Sequence, residues 1–179
     1  MSKRNPITKG NICFLTCTVT DWVDVFTRPT YRHVITNSLN YCQKNKGLNI
    51  HAWCLMSNHL HMIASAGEDK CLSDILRDFK KYTSKEIVKA IHENPESRRE
   101  WMLDRFQFKA KYMKHVDFKF WQEGNEAKEI HTEQFLLQKI DYIHNNPVVA
   151  EIVDEAMNYK YSSACDYAGE KGLVDVVLV

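Results

Sequence analysis

"CLMSNHLHMIAS", residues 54–65, sets His59 and His61 one residue apart inside an otherwise apolar run. Read as a strand, the stretch turns both imidazoles to one face, roughly 6.5–7 Å apart at the backbone, with Leu60 and Met62 on the other. Upstream, "LNIHAWCLM" (48–56) is a second short apolar run. Ser57-Asn58 between them is turn chemistry, so the two runs predict a β-hairpin. Two parallel imidazoles suit one divalent ion, each at about 2.1 Å, and they equally suit an ordinary solvated sheet face. What stands opposite the pair decides between these readings.

Working outward, "NICFLTCTVTDW" (11–22) is β-branched and apolar and predicts a first strand. Residues 28–47 carry Val34, Ile35, Leu39 and Cys42 at helical spacing, with Gly47 as the stop. Residues 72–94 form the plainest helix, with Leu72, Ile75, Leu76, Phe79, Ile87 and Ala90 on its apolar side. "FKFWQEG" (118–124) predicts a fourth strand. Residues 132–146 predict a helix ended by Pro147. Segment 95–115 reads as a further helix or an irregular insertion, and the tail to "LVDVVLV" as a short helix and an edge strand. The order β-α-β-β-α-β plus a helix is the split βαβ, ferredoxin-like arrangement, an α+β fold with an antiparallel sheet and helices on one face. No repeat or linker divides the chain. Residues 1–179 are expected to form a single domain, with a core of about 10–150 and a C-terminal extension over 151–179.

Composition narrows the class. No apolar run reaches the roughly 18–20 residues that span a bilayer, and "MSKRNPITKG" has no apolar segment behind its charges, so a cytoplasmic protein without a membrane or signal segment is expected. The six cysteines contain no CxxC pair and are expected to be reduced and structural. The net charge of +1 conceals a gradient: residues 1–69 carry +3, residues 70–119 +5 and residues 120–179 −7. A basic middle can offer one face to a polyanion. Arg77, Lys81, Lys85 and Lys89 form a stripe at i+4 spacing, joined by Lys80, and make the candidate phosphate track. Tyr82, Trp101, Phe106 and Tyr112 are aromatics that either stack unpaired bases or pack in a core, and core packing is the simpler expectation.

In "QFLLQKIDYIHNNPV" (134–148), Leu136, Ile140 and Ile143 form the packing stripe of a helix. Gln138, Tyr142 and Asn146 form a separate i+4 row on its flank, where a phenol and a carboxamide can reach a neighbouring surface.

The segments "AWCLMSNHLHMI", "DFKKYTSKEI", "FWQEG" and "KIDYIHNNPVVAEIV", with "YSSACDYAG" trailing, together resemble the single-tyrosine HUH transposases of the IS200-like family, above all the REP-associated tyrosine transposases. The H-x-H of 59–61 followed about 80 residues later by DYIHNNPV carries most of that resemblance. It implies a ferredoxin-like fold with the histidines on a central strand and a divalent metal, Mg²⁺ or Mn²⁺. It also implies Tyr142 as nucleophile and His59, His61 and Asn146 as ligands. The implied partner is single-stranded DNA with hairpin structure, and a homodimer is a further expectation. A domesticated, non-cleaving DNA-binding protein on the same fold is the alternative. A small-molecule phosphodiesterase fits less well, since it leaves the basic helix without a purpose.

Overall fold

A computed structural model of the chain describes residues 10–114, 116–124 and 127–179. The N-terminal expectation concerning residues 1–9 therefore lies outside the described residues. Four strands form one sheet: β1 (Cys13–Thr18), β2 (Leu48–Leu55), β3 (His59–Ala66) and β4 (Lys128–Glu129). Their order is β2-β3-β1-β4, and every neighbouring pair is antiparallel. β1 and β2, joined through helix α1 (Pro29–Lys46), run parallel with β3 slotted between them. This is the split βαβ, ferredoxin-like topology.

The expected β2–β3 hairpin is present, closed by the Met56 N–H donating to the His59 carbonyl at 2.9 Å. Gly47 ends α1 in the left-handed conformation (φ 74), the role for which a residue without Cβ is suited. Helix α2 (Leu72–Glu93) buries Leu72, Ile75, Leu76, Phe79, Thr83, Ile87, Val88 and Ile91 and packs beside α1. The Lys80 ammonium lies near enough to act on the Cys17 thiol, and Cys17 shares its sheet face with Leu15, Leu60 and Met62. That face, opposite the histidines, is therefore the one α1 and α2 cover.

Two predicted elements differ here, and segment 95–115, left open by the sequence, takes one of its two readings. The fourth strand is not 118–124 but β4. Phe120 and Trp121 are consecutive and both buried, which breaks the alternation of a strand, and they turn into the core against Phe26, Phe79 and Phe106. A bridge between Val19 and Trp121, with Thr20 N–H donating to the Phe120 carbonyl and Gln122 N–H to the Thr18 carbonyl, each at 2.8 Å, ties this segment to the end of β1. Helix α4 (Glu133–Val149) runs through Pro147 for two more residues; a proline in the last turn forfeits one donor, and Ala150 N–H still reaches the Asn146 carbonyl at 3.0 Å. Segment 95–115 contains a regular helix, α3 (Arg99–Ala110), anchored by buried Met102, Leu103 and Phe106.

The C-terminal extension covers the outer edge of β2. Ser162 bridges Cys54, Leu55 N–H donates to the Tyr161 carbonyl at 2.8 Å, and Ser163 N–H to that of Trp53 at 2.9 Å. The expected short helix is α5 (Ala164–Tyr167). The tail forms no strand, but Val177 N–H donates to the Ile50 carbonyl at 2.8 Å, so main-chain groups that would template another chain are occupied. None of the six cysteines forms a disulfide. Burial, with Glu129 nearby, pushes the Cys13 thiol up to about 11, and burial pushes Cys54 to about 12, so both behave as apolar side chains. Among the described residues no helix is long and apolar enough to cross a membrane.

Candidate active site

Strand pairing assembles the site. Thr16 and Thr18 on β1 stand opposite His61 and His59 on β3, so all four side chains share one sheet face with Phe14. The imidazole centroids are 4.5 Å apart, closer than the backbone spacing, because the rings tilt toward one another at 74°. His61 is buried and His59 half-buried.

Whether this pair suits a divalent ion depends on what occupies the other ring nitrogens. His59 Nδ1–H donates to Asn58 Oδ1 at 2.6 Å, and the same carboxamide donates through Nδ2 to the Trp22 carbonyl at 3.2 Å. His61 Nδ1 lies 3.0 Å from the Thr16 hydroxyl. Because Asn58 Oδ1 can only accept, the Nε2 lone pair of His59 is left for a ligand, and His61 offers its own when the Thr16 hydroxyl accepts from Nδ1. Burial, then the charges of His59 and Lys139, push His61 down to about 3, and burial holds His59 below the usual histidine range. Both imidazoles are therefore neutral at pH 7, the state a metal requires. The donor set fits two positions of a divalent site. Among the described residues no third His, Cys, Asp or Glu joins them.

Helix α4 crosses this face. Ile140, Ile143, His144 and Pro147 are its buried side, in line with the predicted packing stripe, while Leu136 is only partly buried. Tyr142 sits at the boundary, 47% exposed, its ring 5.3 Å from that of His61 and 6.0 Å from Phe14. Asn146 does not reach the pair: its Nδ2 donates to the Tyr142 carbonyl at 2.7 Å, and no described contact links it to either imidazole. His144 fixes the rotation of α4, its Nε2 2.8 Å from Ser163 Oγ, which also accepts from Trp53 N–H at 2.9 Å. The extension thus connects β2 to the helix bearing the tyrosine.

Other side chains at the site escaped the sequence reading. The Lys139 ammonium lies 4.9 Å from the Phe14 ring centroid and 5.2 Å from that of Tyr142. Its signal was present in the i,i+3 spacing from Tyr142. Thr16 had none, because its role comes from register. Trp22 is an exposed indole whose ring meets that of His59 at 5.9 Å.

The predicted basic stripe is divided. Arg77 pairs with Asp74 and Asp78 at 2.6 and 3.2 Å, Lys80 donates to the Gly124 and Gln122 carbonyls, and Lys89 lies 4.0 Å from Glu93. Lys81 and Lys85 are exposed and make no ion pair among the described residues. The stripe belongs to α2, so the sheet separates it from Tyr142. Phe106 is core, whereas Tyr82, Trp101 and Tyr112 are exposed.

The family model "Transposase IS200 like" matches residues 15–146, a span that includes both histidines, Tyr142 and Asn146. A solved REP-associated tyrosine transposase bound to a REP hairpin is similar in fold, with a TM-score of 0.66 and 20% identity over 99% of this chain and 91% of that one. A candidate transposase from Deinococcus radiodurans R1 aligns at a TM-score of 0.48 and 15% identity, covering 81% of this chain and 97% of that one. No curated protein matches in sequence. With most of its length inside the family model, the chain belongs to the IS200-like transposase family.

Proposed function

We propose that this transposase-family protein cleaves and rejoins single-stranded DNA through a covalent 5′-phosphotyrosine on Tyr142. The observation that carries the reading is the half-exposed Tyr142 ring 5.3 Å from His61, on the sheet face that carries the histidine pair. His59 and His61 would hold the divalent ion, Mg²⁺ or Mn²⁺, with the Asn146 carboxamide as third ligand once its side chain swings away from the Tyr142 carbonyl. The ion supplies polarisation of the scissile phosphate.

Every other part of the reaction falls to the chain's own residues. A phenol is a weak nucleophile at pH 7, so position matters: packing of Ile140 and Ile143 on the sheet holds Tyr142 over the site. Its Oη attacks phosphorus as the phenol proton passes to solvent. The P–O3′ bond breaks, and the departing 3′-oxygen takes a proton. Lys139 places a positive charge where the phosphate oxygens gather charge. One phosphoester bond replaces another, so a second 3′-OH can attack the adduct and join strands without external energy. Tyr142 reaches His61 of its own chain, so the geometry supports attack within one subunit, and a homodimer is not needed to complete the pair. Hairpin DNA is the proposed substrate, since the solved relative is bound to one.

The position of Asn146, away from the imidazoles, favours one other reading: a hairpin-binding protein on this fold that does not cleave. Labelled hairpin oligonucleotides from the DNA flanking the gene, incubated with Mn²⁺ or Mg²⁺ and run on a denaturing gel beside Tyr142→Phe, separate the two. A metal-dependent, denaturant-resistant adduct lost in the variant supports the nuclease; binding without an adduct under either metal supports the non-cleaving protein.

A further inference from the structure

The loop after β1 holds its backbone in a costly shape. Asp21 and Trp22 have φ of 53 and 57, two consecutive non-glycine residues in the left-handed region that bulky side chains rarely adopt. The loop is held from three sides: Trp22 N–H donates to the Val19 carbonyl at 3.0 Å, the Trp22 carbonyl accepts from Asn58, and Asp21 is 2.9 Å from Lys109 on α3. The outcome is a tryptophan left 58% exposed, its ring 5.9 Å from that of His59 and inclined to it at 73°, although tryptophan is ordinarily largely buried. The carboxamide that anchors this loop is the one that fixes the Nδ1 of His59. Loop and imidazole are thus one unit.

We propose that Trp22 is a stacking platform for an unpaired nucleobase beside the scissile phosphate. The inference rests on the single-stranded DNA reading above. A flat aromatic, more than half exposed and held by its loop at the rim of the site, suits a base of any sequence. The indole is close enough to His59 that a base on it would belong to a nucleotide next to the one under attack. The Asp21–Lys109 ion pair ties the loop that carries the platform to α3.

The four tryptophans allow a direct test, because Trp53 and Trp121 are buried and only Trp22 and Trp101 face solvent. Full-length Tyr142→Phe protein in Mg²⁺ is titrated with a hairpin carrying single-stranded flanks while intrinsic fluorescence is followed. Quenching is expected, lost in Trp22→Phe and kept in Trp101→Phe. Affinity should fall on the order of tenfold in Trp22→Gly and largely recover in Trp22→Phe. The melting temperature of Trp22→Gly should stay level or rise, since glycine relieves the positive φ.

Unchanged affinity in Trp22→Gly, or quenching that follows Trp101, overturns the inference and leaves the DNA reading standing. A drop in melting temperature that accompanies the lost affinity makes Trp22 a packing residue and overturns it too. If the Tyr142→Phe protein binds none of the oligonucleotides, the functional reading fails and the stacking inference with it.

Discussion

The Thr16 hydroxyl lies 3.0 Å from Nδ1 of His61, and the two residues face each other across the β1–β3 ladder. The contact holds the ring's angle and couples its tautomer to the direction of the hydroxyl proton. Thr16→Val keeps the shape and removes the hydrogen bond. It should weaken divalent-metal binding roughly 10- to 100-fold with little change in fold, as read by calorimetric titration of Mn²⁺. Unaltered metal affinity in the variant would remove Thr16 from the site.

Lys139 brings its charge to within 5.2 Å of the Tyr142 ring centroid from three residues back on the same helix. Lys139→Gln should slow adduct formation by roughly tenfold to hundredfold under single-turnover conditions while metal affinity holds. A matching loss of metal affinity would show that the lysine acts on the histidine pair instead.

Lys81 and Lys85 face solvent on α2, across the sheet from the tyrosine. Under the proposed function they would meet duplex phosphates beyond the cleaved strand. Changing both to alanine should flatten the salt dependence of hairpin binding by about two in log–log slope, at unchanged cleavage of an oligonucleotide without a hairpin. Equal losses on both substrates would place the scissile strand on α2.

Glu96 is a buried carboxylate that organises the junction before α3. Arg28 Nε donates to it at 2.7 Å, Arg98 N–H at 3.1 Å and the Tyr31 hydroxyl at 3.3 Å. Burial would raise its pKa, but the Arg98 amide and the Arg28 guanidinium hold it below the usual carboxylate range. Glu96→Ala strands these donors. Arg28 and Arg98 can turn to water, so the loss in urea denaturation should be about 2 kcal/mol, below the cost of breaking a fully buried pair.

His51 is buried between Ser65 Oγ and the Val177 carbonyl, each at 3.1 Å. Burial lowers its pKa from the usual histidine value, and the Val177 carbonyl only partly opposes that. The unfolded chain therefore takes up a proton that the folded chain refuses. The stabilising contribution is fully present above about pH 6.5 and is lost as pH falls below it. Calorimetric scans from pH 7.5 to 5 should show a steeper fall in melting temperature for the wild type than for His51→Gln. Parallel curves would contradict the assignment.

The amino-acid order alone determined the hairpin, β1, α1, α2 and α4 around it and the ferredoxin-like class, because turn chemistry and hydrophobic period act over a few residues. It also determined that two imidazoles share a face and that Tyr142 lies off the packing stripe of its helix, since both follow from local periodicity. Predictions failed where neighbours outweighed period: Phe120 and Trp121 were claimed by an aromatic core, and Pro147 sat late enough in α4 to be carried through. The tertiary structure alone decided that Thr16 and Asn58 hold the histidine rings, that Lys139 and Trp22 flank them, and that the basic helix lies on the far face. Apart from the contact between adjacent Asn58 and His59 and the helical spacing of Lys139 from Tyr142, these depend on strand register or on which face a helix covers, and such pairings join residues too distant in the chain for a local pattern to encode.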